Sequence, residues 1–178
     1  MTPARKYIVT GGPGSGKSTL VGMLEQRGHR CYPEVSRELI RQESQRPDGV
    51  MPWNDLEAFA RLAFTEMLLQ HDNVEETGGP CFFDRGLPDI FGYLRRSSLD
   101  IPEEYLEAHA KCSYERTVFI LPPWEEIYIN DSERPQSFDE STQLYNALRE
   151  VYESLGYLLI EVPKLPLPAR CDFVLAHL

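Results

Sequence analysis

The chain has 178 residues, 42% of them hydrophobic and 26% charged, with a formal net charge of −10. That length suits one domain, residues 1–178, able to bury a core without staples, and the acidic balance repels anionic membranes and makes nucleic acid an unexpected partner. No apolar run approaches the ~20 residues of a bilayer span and Met1 to Thr10 has no signal-peptide core, so a cytoplasmic protein is expected.

In chain order, Lys6–Thr10 reads as a short buried strand, and Gly11-Gly12-Pro13-Gly14-Ser15-Gly16-Lys17-Ser18 follows it at once. This is a full match to G-x-x-x-x-G-K-[ST]. The glycines permit positive φ, so the backbone can wrap its N–H groups around a phosphate chain. Lys17 brings a cation to the β/γ-phosphates, and the Ser18 hydroxyl is a Mg²⁺ ligand. Lys17 to Arg27 then reads as a helix, with Leu20, Met23, Leu24 and Arg27 on one face and Gly28 after its end. Strand, loop and helix together aim a helix N-terminus at an anion. The expected nucleotide contacts are Gly12, Pro13, Gly14, Ser15, Gly16, Lys17, Ser18 and Thr19. A dinucleotide fingerprint also starts with Gly12-x-Gly14, but the third position after Gly14 is Lys17.

Beyond the loop, apolar runs at Arg30–Pro33, Cys81–Asp84, Thr117–Leu121 and Leu158–Val162 predict four more strands. Helical patterns alternate with them. One covers about Ser36 to Arg46. The next starts at Asn54, with Glu57 three residues on, and reaches about Thr77. Others cover Pro88–Arg96, a segment opened by Asp100-x-x-Glu103, and a long stretch from Ser137-x-x-Glu140 to Gly156. The alternation predicts a three-layer α/β protein with a five-stranded parallel sheet. Segments 47–53 and 122–138 are the irregular stretches, read as ordered loops or lids.

Several residues outside the loop can do chemistry. Asp84 ends an apolar strand, where an ionised group is costly without a cation, so it is the expected second Mg²⁺ contact; helix capping is its rival role. Asp84-Arg85-Gly86 lacks the second carboxylate common in water-activating ATPases, which favours transfer to an acceptor. Such transfer needs a base or an orienting carboxylate. Glu34, just past the second strand, fits that role, with Arg37 one turn on to meet the acceptor. Arg85 and Asp89 flank the same crevice. Arg134 lies in the second irregular stretch, where a guanidinium arriving from a lid would neutralise the transferring phosphoryl group. Cys31, Cys81, Cys112 and Cys171 form no paired spacing, and His29, His71, His109 and His177 no metal pattern.

These blocks carry a resemblance. Tyr7 to Leu20, Glu34-x-x-Arg37-Glu38-Leu39-Ile40, Phe83-Asp84-Arg85-Gly86-x-Pro88-Asp89 and Leu121-Pro122-Pro123-Trp124-Glu125 resemble, in this order, a group of small AAA-domain-like P-loop ATPases. That group is similar to the nicotinamide riboside kinase domain of bacterial NAD regulators and, more distantly, to deoxynucleoside kinases. The resemblance implies sheet order 2-3-1-4-5, Glu34 and Arg37 facing the acceptor, and Arg134 in the lid. The chain departs from the pattern at Ile127-Tyr128-Ile129, where a lid arginine nearer Trp124 is expected. The expected activity is ATP- and Mg²⁺-dependent phosphorylation of a nucleoside-like or other small hydroxyl acceptor. The alternative is a nucleotide-hydrolysing regulatory ATPase that acts through a protein partner. A polynucleotide 5′-hydroxyl kinase would need a basic groove, which the composition disfavours.

Overall fold

The computed structural model describes residues 3–75, 78–129 and 136–178. The first strand is β1 (Arg5–Gly11), followed by helix α1 (Lys17–Gln26), β2 (Arg30–Tyr32), α2 (Val35–Ser44) and α3 (Leu56–Asp72). Next come β3 (Pro80–Asp84), α4 (Leu87–Arg96), α5 (Glu103–Ala110) and β4 (Tyr114–Leu121). A 3-10 turn at Glu125–Ile127, α6 (Phe138–Ser154), β5 (Leu158–Glu161) and α7 (Leu167–Leu175) complete the described chain. All five strands are parallel, in the order β2-β3-β1-β4-β5.

Period-2 alternation sends successive side chains of each strand to opposite faces of the sheet. Tyr7 and Val9 of β1, Phe82 of β3 and Phe119 and Leu121 of β4 pack with Leu20, Val21 and Leu24 of α1 and Cys171 and Val174 of α7. Ile8 and Val118 point the other way, onto Leu144, Leu148 and Tyr152 of α6. On that second face α3, α4 and α5 enclose a further core around Phe64, Phe91 and Tyr105. The result is helix–sheet–helix, with the three central strands β1, β3 and β4 burying apolar residues, the edge strands β2 and β5 only partly covered, and the crevice at the strands' carboxyl ends. Registry sets the crevice: Val9 lies beside Asp84, and Gly11 beside Leu121.

Some boundaries differ from the sequence reading. The long helix is capped not at Asn54 but at Asp55, whose side chain accepts from the Ala58 N–H at 3.0 Å. It ends at Asp72, and Thr77 lies outside the described residues. Asp100 falls before α5, which starts from Pro102. Ser137 and Glu140 do form a reciprocal capping box at the start of α6. Helix α7 has no counterpart in the sequence reading. It is nine residues long and opens on Pro166-Leu167-Pro168, too short and too proline-marked for its periodicity to stand out.

Candidate phosphoryl-transfer site

The loop between β1 and α1 is held in a tight crown by its own side chains. The Ser15 hydroxyl donates to the Gly12 carbonyl at 2.8 Å, and Lys17 Nζ donates to the same oxygen at 2.8 Å. Gly16 is the N-cap of α1 at φ 87°, a left-handed conformation that glycine adopts without strain. From outside, Ser141 of α6 donates its hydroxyl to the Pro13 carbonyl at 2.8 Å. A Cβ on Gly12 would lie 2.6 Å from the Ser141 carbonyl oxygen. The glycine there is a matter of close approach: α6 sits against the loop's back and leaves no room.

At the end of β3, Asp84 is 4% exposed. Its Oδ2 accepts from the Ser18 hydroxyl at 2.6 Å, and its Oδ1 is buried without a hydrogen-bond partner. Burial, then the nearby negative charge of Glu34, holds the carboxyl above its usual range, against the pull of Lys17, Ser18 and Arg85. An orphaned carboxylate oxygen beside a hydroxyl is a pair of hard oxygen donors of the kind Mg²⁺ takes. The capping alternative for Asp84 does not hold: Gly86 is the N-cap of α4, and Asp89 closes that cap by accepting from the Gly86 N–H at 3.0 Å.

Arg85 turns sharply at φ 79° and folds its side chain back under the loop. It is 3% exposed. Nε donates to Glu34 Oε1 at 3.1 Å, while Nη1 donates to Asp89 Oδ1 at 2.9 Å and to the Gly11 carbonyl at 3.1 Å. Burial opposes the cation, but Tyr93, Glu34, Asp89 and Asp84 around it keep it firmly protonated. Asp89 is itself fully engaged. It also accepts from the Thr10 hydroxyl at 2.6 Å and the Tyr152 hydroxyl at 2.5 Å, and is 1% exposed. Asp89 thus stands behind Arg85, where it braces the guanidinium.

Two cavities meet at Glu34. A cleft of about 820 Å³ is lined by Ser18 and Asp84 on one wall and by Glu34, Arg37 and Glu38 on the other. A narrow cavity of about 70 Å³ lies between α2, α3 and α4, lined by Trp53, Phe59, Tyr93, Arg85 and again Glu34 and Arg37. Of the sequence-predicted residues, Ser18, Glu34, Arg37 and Asp84 therefore line one cleft and Arg85 the cavity that adjoins it at Glu34, while Lys17 is buried within the loop. Thr19 is exposed at the start of α1, beside Ser18. Arg134 lies outside the described residues. The sequence reading missed Ser141, Tyr93 and Tyr152, which sit within helices in patterns indistinguishable from ordinary packing. Trp53 carried one available signal: a large aromatic in a proline-flanked loop, 49% exposed in the fold.

The family model described as "AAA domain" matches residues 6–170. The chain belongs to the AAA domain family. This AAA domain is also similar in fold to solved kinases. The deoxyadenosine kinase of M. mycoides, solved with products dCMP and a flexible dCDP, superposes with TM-score 0.69 at 16% identity, over 97% of each chain. Thymidylate kinase from Candida albicans gives 0.71 at 14% identity, over 98% of this chain and 91% of that one. NadR protein in complex with NR gives 0.70 at 18% identity, over 92% of this chain and 46% of that one. No curated protein matches by sequence. At these identities the likeness is one of fold: the AAA domain has the three-layer architecture and strand order of the P-loop kinases. Among the described residues, no helix is long and apolar enough to cross a membrane.

Proposed function

We propose that this AAA domain is an ATP- and Mg²⁺-dependent kinase that transfers the γ-phosphate to a hydroxyl of a small, nucleoside-like acceptor. One observation carries the reading: Glu34, held by Arg85, lines both the cleft that contains Ser18 and Asp84 and the aromatic cavity beside it. A carboxylate at that junction is where a donor's terminal phosphate and an acceptor's hydroxyl would meet.

The roles follow from the chemistry of each group. The loop N–H groups and the α1 N-terminus cradle the polyphosphate, and Lys17 accompanies the β/γ-phosphates. Ser18 and Asp84 hold Mg²⁺, which neutralises developing charge on the phosphate oxygens. Glu34 accepts or orients the acceptor hydroxyl proton. Arg85 fixes Glu34 in place, and Asp89, satisfied by four donors, fixes Arg85. Arg37 lines the acceptor side, and Trp53 and Tyr93 offer aromatic faces to a flat ring. Arg134 retains its proposed role as the lid cation. The fold of nucleoside and nucleotide kinases supports the reading, as does the single-carboxylate Asp84-Arg85-Gly86 turn.

The test is ADP release from ATP with and without a panel of nucleosides, nucleotides, sugars and vitamins. Acceptor-stimulated release with a phosphorylated product supports the kinase. A slow rate indifferent to every acceptor, yet raised by a protein partner, supports the regulatory ATPase instead.

A further inference from the structure

A second cation stands beside the phosphate loop, though far in sequence from any motif. Arg170 of α7 is 7% exposed, and its Nε and Nη1 are buried with no hydrogen-bond partner. Among the described residues no carboxylate forms an ion pair with it. Its guanidinium lies over the face of Trp124, with the guanidinium carbon 5.4 Å from the ring centroid. Burial alone pushes its pKa down, and no neighbouring charge opposes that shift. Burying a guanidinium without an anion is costly, so a position that retains one calls for an anion that arrives.

The geometry says which anion. Arg170 Nη1 lies 2.9 Å from the point where a Cβ on Gly16 would sit, and the Ile127 side chain lies 3.3 Å from the same point. Gly16 is the N-cap of α1, where the helix's free N–H groups converge. Lys17 Nζ, by contrast, reaches back to Gly12 at the start of the loop. The two cations bracket the loop, Lys17 at its beginning and Arg170 at its end. A triphosphate lying along the loop puts its β/γ end at the lysine, so the other end falls to the arginine.

We infer that Arg170 binds the α-phosphate end of the donor nucleotide, contributed by α7 and backed by the face of Trp124. The inference rests on the donor reading above and extends it to a residue that no loop motif includes. A planar fork with free N–H groups suits a phosphate better than an ammonium does. Packing of α7 on α1 through Cys171 and Val174 fixes its distance from the loop.

The experiment is calorimetric titration of wild type, Arg170→Met and Arg170→Lys with ATP and with inorganic tripolyphosphate, alongside thermal melting of each nucleotide-free protein. Arg170→Met should weaken both ligands by a similar factor, about ten-fold or more, as expected for a lost charge-assisted contact. Arg170→Lys should fall between the two. The nucleotide-free Met variant should melt at the wild-type temperature or above it, because an uncompensated buried charge has been removed. Weakened ATP with unchanged tripolyphosphate would mean a contact to base or ribose and overturns the inference. So does unchanged affinity for both, or a Met variant that melts early or fails to fold, which marks a structural residue. Wild-type protein that binds neither ligand overturns the donor reading itself, and this inference with it.

Discussion

Arg85 joins Glu34 to Asp89: one guanidinium, 3.1 Å from the first carboxylate and 2.9 Å from the second, ties the start of α2 to the first turn of α4 beneath the phosphate loop. All three side chains are 10% exposed or less, so the link is insulated from solvent. Removing the guanidinium leaves two carboxylates buried without their partner. Arg85→Met should therefore destabilise the fold by roughly 3–5 kcal/mol, the usual cost of breaking a buried pair from one side. Urea denaturation checks the value. A loss of only a few tenths would mean that the carboxylates find water.

Glu34→Gln tests the chemistry at the same junction. The swap is nearly isosteric and keeps an acceptor oxygen for Arg85, but it removes the carboxylate. Acceptor-dependent ADP release should fall by ~10²–10⁴, the worth of a positioned acid–base group, with ATP affinity unchanged. Unaltered transfer would return Glu34 to a supporting role for Arg85.

Lys17→Ala and Asp84→Asn separate the phosphate from the metal. Lys17→Ala should abolish measurable turnover. Asp84→Asn should raise the Mg²⁺ concentration needed for half-maximal activity. Since burial already penalises the ionised carboxyl, it should leave folding intact or slightly improved. Activity against Mg²⁺ concentration and a thermal melt, run together, decide this. An unfolded Asp84→Asn protein would contradict it.

Ser141 holds the loop from α6, 128 residues away in the chain. Ser141→Ala removes the donor to the Pro13 carbonyl and should cost about 1 kcal/mol of stability. ATP affinity should weaken as the loop loosens. Gly12→Ala is the harsher change: its Cβ meets backbone of α6, so α6 or the loop must shift. Nucleotide affinity should drop more in Gly12→Ala than in Ser141→Ala, measured by titration.

The pH dependence of stability should carry the mark of His71. Its ring is 4% exposed, its Nε2 accepts from the Ser113 N–H at 3.1 Å, and burial lowers its pKa from the ordinary 6.5. His109 is also lowered by burial. Below about pH 6.5 the unfolded chain takes up protons at these rings that the folded chain refuses, so stability rises with pH up to that value and then levels. Denaturation midpoints between about pH 5 and 7 should climb, and His71→Gln should flatten the slope. A midpoint that falls over that window would refute the assignment.

Eight contiguous residues were enough to read a phosphate-binding end. Gly11 to Ser18 encode their own backbone path through glycine, and the strand before and helix after follow from short-range periodicity. The strand order came from resemblance to a group of small P-loop ATPases, and the parallel sheet bears it out. Asp84 could be read as a cation ligand because burying a charge at a strand end is costly wherever that strand lies. Tertiary structure alone decided the rest. Arg85 reaches Glu34 across 51 residues of chain, and Tyr152 reaches Asp89 across 63. No local pattern records such pairs, because they exist only once the sheet sets which strand ends are neighbours. That is why Asp89 read as a crevice residue although the fold makes it the brace behind Arg85. It is also why Arg170, an ordinary arginine in a short proline-led helix, gained meaning only when α7 packed beside α1.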